Sequence, residues 1–296
     1  MEIAFSIVRF LHYSAAIQLF GTAVFETWIA SAALSLSLLT LSRRIAVFNA
    51  WLLLLSAIAW LGLESGSMGD GWGDGVNPSV IGLVLSATDF GKSWIVNLSL
   101  AAACVVATHL FGPRRFGILA ALATLALASL AFVGHAVAAT GLLGVASEAS
   151  QIVHLLASGF WFGSLLSLVL LLTRIKDPRF TLDADLALRR FSGLGHFAVA
   201  LALASGLSNS WLVLHDATLS LGSPYQLLLL IKVTLVGTMC LIALVNRYVF
   251  MPRIPAGTEG VRKLRDGTIA ELIVGTIVIA IVGIVGLLDT TGSGMS

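Results

Sequence analysis

Eight runs of about 20 or more mostly apolar residues dominate the sequence, near residues 3–28, 45–64, 91–111, 115–138, 149–172, 190–214, 225–248 and 268–288. Each matches the hydrocarbon thickness of a bilayer at a rise of about 1.5 Å per residue. In lipid, only a helix or a closed barrel satisfies its own backbone hydrogen bonds. The short alternating segments of a barrel are absent. The expected fold is therefore all-α: an integral membrane bundle of eight transmembrane helices in a single domain over residues 1–296. Charged residues are 11% of the chain, against about 25% in soluble domains, so lipid is the solvent that makes this surface sensible. The first run is ambiguous, because weakly polar, apolar sequence continues to Thr40. Met1-Glu2-Ile3 lacks the basic start of a cleaved signal peptide, so the first run is expected to be retained.

The connections between runs alternate in charge. The odd ones hold Arg43, Arg44, Arg114, Arg115, Arg174, Lys176, Arg179, Arg189, Arg190, Arg247, Arg253, Arg262, Lys263 and Arg265, which is 14 of the 17 basic residues. The even ones hold mainly acids, among them Glu64, Asp70, Asp74, Asp89, Glu148 and Asp216. The positive-inside rule then places the odd connections in the cytoplasm and both termini outside. A net charge of +2 gives no reason to expect a nucleic-acid partner. The longest outside connection, Ser65 to Phe90, is rich in glycine and is expected to be turns or irregular backbone. No connection is long enough for a separate domain, so function is expected within the bundle or on that loop.

An ionisable side chain inside a span is costly unless it snorkels or finds a partner. Topology places His12, His135, His154 and His215 toward the outer side, and His109 and His196 toward the inner side. His135 and His154 lie at similar depths on consecutive helices and form a candidate pair of ligands, since imidazole is the commonest ligand for transition metals. The alternative is a pair of interfacial histidines bonded to loop carbonyls. Arg9 lies three residues before His12 on the same helical face. Arg9 either snorkels outward or meets a carboxylate or the propionate of a bound porphyrin, and Lys232 has the same choices. Met68 offers a thioether suited to Cu(I), or simple packing. Cys104 and Cys240 read as small apolar fillers. Glu26 and Glu271 sit near inner ends and are expected to reach water. Trp72 and Trp94 fit an interfacial belt. Gly159 and Gly163 form a GxxxG, whose uses are close helix packing and dimerisation. Walker A, HExxH and GxSxG patterns are absent, which argues against ATP-driven transport by this chain alone.

Several segments carry a family resemblance. They are Arg9-Phe10-Leu11-His12-Tyr13 with Phe20-Gly21, Thr88-Asp89-Phe90-Gly91-Lys92-Ser93-Trp94, Gly134-His135-Ala136, the run from His154 to Gly163, Ser205-Gly206, Leu230-Ile231-Lys232, Asn246-Arg247-Tyr248 and Glu271. In this order they resemble the copper resistance protein D (CopD) family of bacterial inner-membrane proteins. The resemblance implies copper uptake or tolerance at the inner membrane, often beside a periplasmic copper carrier of the CopC type. No such carrier is fused here, so it would be a separate protein. A more distant likeness links the family to small membrane proteins that bind haem through a helix-1 histidine.

Three readings follow from residues and resemblance together. In the first, copper ions arrive near Met68, are taken by His135 and His154 with His215 as a further outer donor, and pass deeper to His12. The inner half is then the weak step, with only His196, Cys104 and Cys240 as donors. In the second, His12 and His154 hold a b-type haem with Arg9 or Lys232 near its propionates, and the chain is an oxidoreductase that reduces Cu(II). In the third, the chain only docks a copper carrier. A transporter is expected over an enzyme.

Overall fold

The computed structural model describes residues 1–110, 115–133, 141–214, 222–255 and 257–288. Among these residues there are helices and no strands, and eight helical stretches are long and apolar enough to cross a membrane. The first begins with α1 (Glu2–Val24), which widens into one π-helical turn, Phe25–Ile29. The chain then extends at Ala30, and the Ser31 hydroxyl caps α2 (Ala32–Met68) by accepting from the Leu34 amide at 3.2 Å. A serine oxygen at this position satisfies one of the otherwise unpaired amides of the first turn. The ambiguous stretch up to Thr40 thus belongs to the second helix, which starts well before the expected residue 45. Its 37 residues span about 55 Å, more than a bilayer core of about 30 Å. Arg43 and Arg44 therefore lie inside a helix rather than in a loop.

The glycine-rich connection contains a short helix, α3 (Pro78–Ala87), where irregular backbone was expected. The local chemistry explains it. Asn77 caps it by accepting from the Ser79 amide at 3.1 Å, and Pro78 supplies a first position pre-set for helix. Thr88 then caps α4 (Asp89–His109) by accepting from the Gly91 amide at 2.9 Å. Next come α5 (Arg115–Ser129), α6 (Gly141–Gly163) and α7 (Leu165–Leu172). α6 and α7 form one broken span, with the break at Ser164. α8 (Thr181–Leu214), α9 (Pro224–Val245) and α10 (Thr258–Val285) complete the bundle. α9 ends in a second π-helical turn, Asn246–Phe250, ahead of Pro252.

α1 lies at the centre, packed by α2, α5, α6 and α10. Its approach to α6 is closest at Gly21 and Gly163, where a Cβ on Gly21 would collide with the Gly163 backbone and a Cβ on Gly163 with the Ile17 carbonyl. Ser164 tightens the same crossing by donating its hydroxyl to the Gly21 carbonyl at 3.2 Å. A Cβ on Gly159 would strike Leu127 and Phe20. The GxxxG therefore serves packing within the chain.

Three of the basic connections meet at one end. Arg174 donates to the Ser37 carbonyl at 3.3 Å, and Lys176 donates to the Ile254 carbonyl at 3.2 Å. An apolar cluster of Phe25, Leu38, Leu171, Ile175, Leu188 and Leu264 fills the bundle beneath them. A separate core around Tyr13, Trp60 and Trp94 fills the other half.

Candidate functional site

The first turns of α1 carry Arg9 and His12 on one face, and α2 places Ser56, Trp60 and Glu64 opposite them at a spacing of four. His12 is fully buried. Its Nδ1 lies 3.0 Å from Ser56 Oγ. The Ser56 hydroxyl hydrogen is directed to the Leu53 carbonyl, also at 3.0 Å. A hydroxyl has one hydrogen, so His12 Nδ1 must supply the proton of its own contact. That assigns the proton to Nδ1 and leaves Nε2 as a bare lone pair. Nε2 is buried and has no hydrogen-bond partner among the described residues. The ring is flanked by Trp60, edge-on at 5.6 Å, and Trp94 at 5.3 Å.

Trp94 is not part of an interfacial belt as expected. It is fully buried, donates its indole hydrogen to the Ala57 carbonyl at 2.9 Å and stacks on Phe90 at 5.0 Å. Arg9 does not simply snorkel. Its guanidinium lies over Trp60 at 5.0 Å, donates to the Gly286 carbonyl at 3.3 Å and faces the Glu64 carboxyl.

His154 on α6 repeats the arrangement. Its Nδ1 lies 3.0 Å from the Ala202 carbonyl of α8 and 3.3 Å from Ser205 Oγ. A carbonyl only accepts, so Nδ1 carries the proton and Nε2 again holds the lone pair. Gly206 leaves room for the ring: a Cβ there would sit 3.1 Å from it. The Lys232 ammonium of α9 faces the same imidazole. One turn away, Asn209 donates to Gln151 at 2.7 Å.

The structure thus builds two separate histidine sites, one between α1, α2 and α4 and one between α6, α8 and α9. His135 and His215 lie outside the described residues, so their pairing with His154 is not part of this geometry. Met68 is 52% exposed at the end of α2. Cys104 is buried and Cys240 half-buried. No three His, Cys, Asp or Glu side chains converge as a metal-binding group among the described residues.

Glu26 and Glu271 differ from expectation, since neither reaches water. Glu26 is 5% exposed and accepts from the Ser42 hydroxyl at 2.5 Å. Glu271 is 3% exposed and accepts from Asn246 at 2.6 Å and from the Trp161 indole at 3.4 Å. Burial is tolerated because each carboxylate is hydrogen-bonded by a neighbouring element. Ser56, Ser205, Trp60, Asn246 and Trp161 carry these sites and were not singled out in the sequence for those roles. The one available signal was Ser56, Trp60 and Glu64 repeating every four residues along a single helical face.

Fold and site together define a multi-pass helical membrane protein whose polar chemistry lies inside the bundle, on histidines held in one tautomer by neighbouring helices. Within that class, the chain belongs to the copper resistance protein D family. Residues 1–145 match the family model described as "Copper resistance protein D-like, N-terminal domain", and residues 185–285 match "Copper resistance protein D". Among relatives, it is 36% identical to "Inner membrane protein YebZ" of Escherichia coli (strain K12), over 83% of this chain and 84% of that one. It is 27% identical to "Copper resistance protein D" of Pseudomonas syringae pv. tomato, over 95% of each chain. It is 29% identical to "Copper transport protein CutJ" of Bacillus subtilis (strain 168), over 64% of this chain and 36% of that one. No solved structure matches the chain.

Proposed function

We propose that this protein handles copper at the bacterial inner membrane and moves copper ions from the periplasm toward the cytoplasm. The family and its copper-named relatives support copper as the cargo. The observation that carries the route is His12: a buried imidazole whose Nε2 lone pair has no partner among the described residues and whose orientation is held from the other nitrogen. Metal-ligating histidines are held in this way, with the second ring nitrogen donating to a neighbouring group. His154 is a second donor of the same kind, and Met68, His135 and His215 complete an outer set in this reading. Imidazole accepts either copper oxidation state, whereas the thioether favours Cu(I). Glu64 offsets the charge of Arg9, which would otherwise repel a cation near His12. Both termini lie in the periplasm in this reading, with the basic connections in the cytoplasm. A separate periplasmic carrier of the CopC type would deliver the ion.

The test is copper accumulation in vesicles reconstituted with the purified protein. Wild type should accumulate Cu(I), and His12→Ala and His154→Ala should each lower the initial rate by about tenfold or more. Uptake unchanged in both variants sinks the route. A Soret band in the purified protein that vanishes in His12→Ala would replace transport with haem-based redox chemistry.

A further inference from the structure

α8 packs chiefly on α6 and α9 chiefly on α10, and no seam of comparable extent joins α8 to α9. Between the two lies a cavity of about 370 Å³. That is within the range of small-molecule sites, about 300–1,000 Å³. Its walls are apolar and partly aromatic, including Leu165, Phe191, Val199, Leu203 and Leu244. Leu203 and Leu244 are 40% and 51% exposed, on a bundle surface that faces lipid. The cavity therefore opens sideways into the bilayer.

Toward the basic end, two side-chain bridges close it. Arg247 donates to the Ser192 hydroxyl. His196 Nδ1 lies 2.8 Å from the Ser192 carbonyl and so carries the proton, and its Nε2 accepts from the Tyr248 hydroxyl at 3.1 Å. Both nitrogens of His196 are thereby engaged. Of the other polar groups on the wall, Thr268 donates its hydroxyl to the Leu264 carbonyl, and Asn246 and the Trp161 indole each donate to one oxygen of the Glu271 carboxyl. A carboxylate accepts at about four lone-pair sites, so each oxygen keeps room for another donor. No cation pairs with Glu271 among the described residues.

We propose that this cavity is a binding site for a lipid-soluble quinol. Its isoprenoid tail would leave through the lateral opening, its ring would lie among Phe191 and the apolar wall, and a head hydroxyl would donate to Glu271. Each part answers a feature of the cavity. A lateral mouth admits a membrane-borne ligand, apolar walls take a ring, and a buried acceptor without a cation takes a neutral donor. A phospholipid is the competing occupant: Arg247 on the wall would draw its phosphate while the Glu271 carboxylate would repel it. The inference concerns binding alone and stands whether or not copper crosses through His12.

The probes are short-chain ubiquinol, kept reduced under anaerobic conditions, and the matching ubiquinone, titrated calorimetrically into the full chain in nanodiscs. The quinone has no hydroxyl to donate, so it should bind about tenfold more weakly than the quinol. Glu271→Leu should remove that preference, and Ala200→Trp, which fills the mouth of the cavity, should abolish binding of both. Ala200 is exposed at the rim, so this second variant tests the site even if Glu271→Leu does not fold. Equal affinity for quinol and quinone, or quinol binding unaltered by Ala200→Trp, would overturn the proposal. So would a tightly held phospholipid, seen by native mass spectrometry, that quinol does not displace but Ala200→Trp does.

Discussion

His12 and His154 share a device: a hydrogen committed from Nδ1 to an acceptor on another helix, and a lone pair left at Nε2. For His12 the side-chain acceptor is the Ser56 hydroxyl, with the Leu53 carbonyl also facing the ring, so Ser56→Ala tests the hydroxyl's share of the device. Losing the partner of a buried N–H costs about 1–3 kcal/mol and frees the imidazole to take the other tautomer. Copper uptake should fall about tenfold in Ser56→Ala while Ser56→Thr retains it, as read by initial rates in vesicles. Equal rates in all three proteins would separate Ser56 from the route. The Glu26–Ser42 contact makes a different prediction. Ser42→Ala removes one donor from a buried carboxylate and should lower stability by about 1–3 kcal/mol, seen as a lower thermal midpoint with uptake per folded molecule unchanged. The histidines themselves were legible in the sequence because ionisable residues in apolar runs stand out. Their partners were not, because Ser56 and Ser205 are ordinary helix serines until the rotation of α2 and α8 is known. The same ignorance of helix rotation placed Trp94 at an interface, although it packs against His12 in the core.

Among the elements, the crossing of α1 and α6 is the most sensitive to change. Gly21 and Gly163 are in mutual contact through their backbones, with no space for a side chain on either. Gly163→Leu should force the helices apart and cost more than the 1–3 kcal/mol typical of overpacking, because backbone rather than a flexible side chain must yield. The expected readout is loss of the folded peak in size-exclusion chromatography. Gly237→Leu, whose site is open, should behave as wild type. If the GxxxG instead held two copies together, Gly163→Leu would give a folded protein of half the mass. The number and order of spans were legible because hydrophobic length is read directly from sequence. The ends were less so. The extension of α2 to Ala32 depends on the Ser31 cap and on the π-helical turn before it, and a run of apolar residues on both sides hides that corner.

At the scale of the molecule, Arg174 on Ser37 and Lys176 on Ile254 gather three basic connections at one end. Positive-inside orientation predicts that an impermeant maleimide labels Ser67→Cys from the periplasm of intact cells, and labels Pro178→Cys only after permeabilisation, in a background without Cys104 and Cys240. The reverse pattern would invert the proposed direction of transport. Charge alone carries the expected orientation, whereas the division of the bundle was not legible in the sequence. That α9 leans on α10 and stands apart from α8 follows from packing, which a uniformly apolar helix does not encode. The tautomer of His12 has one further consequence at this scale. A ligand with no proton at Nε2 releases none when a cation loads, so an ion taking the proposed route would cross with its charge uncompensated. Transport through such a site is electrogenic, and a potential negative inside drives it by about 2.3 kcal/mol per unit charge for each 100 mV. Copper entry should therefore rise steeply with a potassium diffusion potential set by valinomycin, and respond little to a pH gradient: the membrane voltage, rather than a co-transported proton, would be the engine.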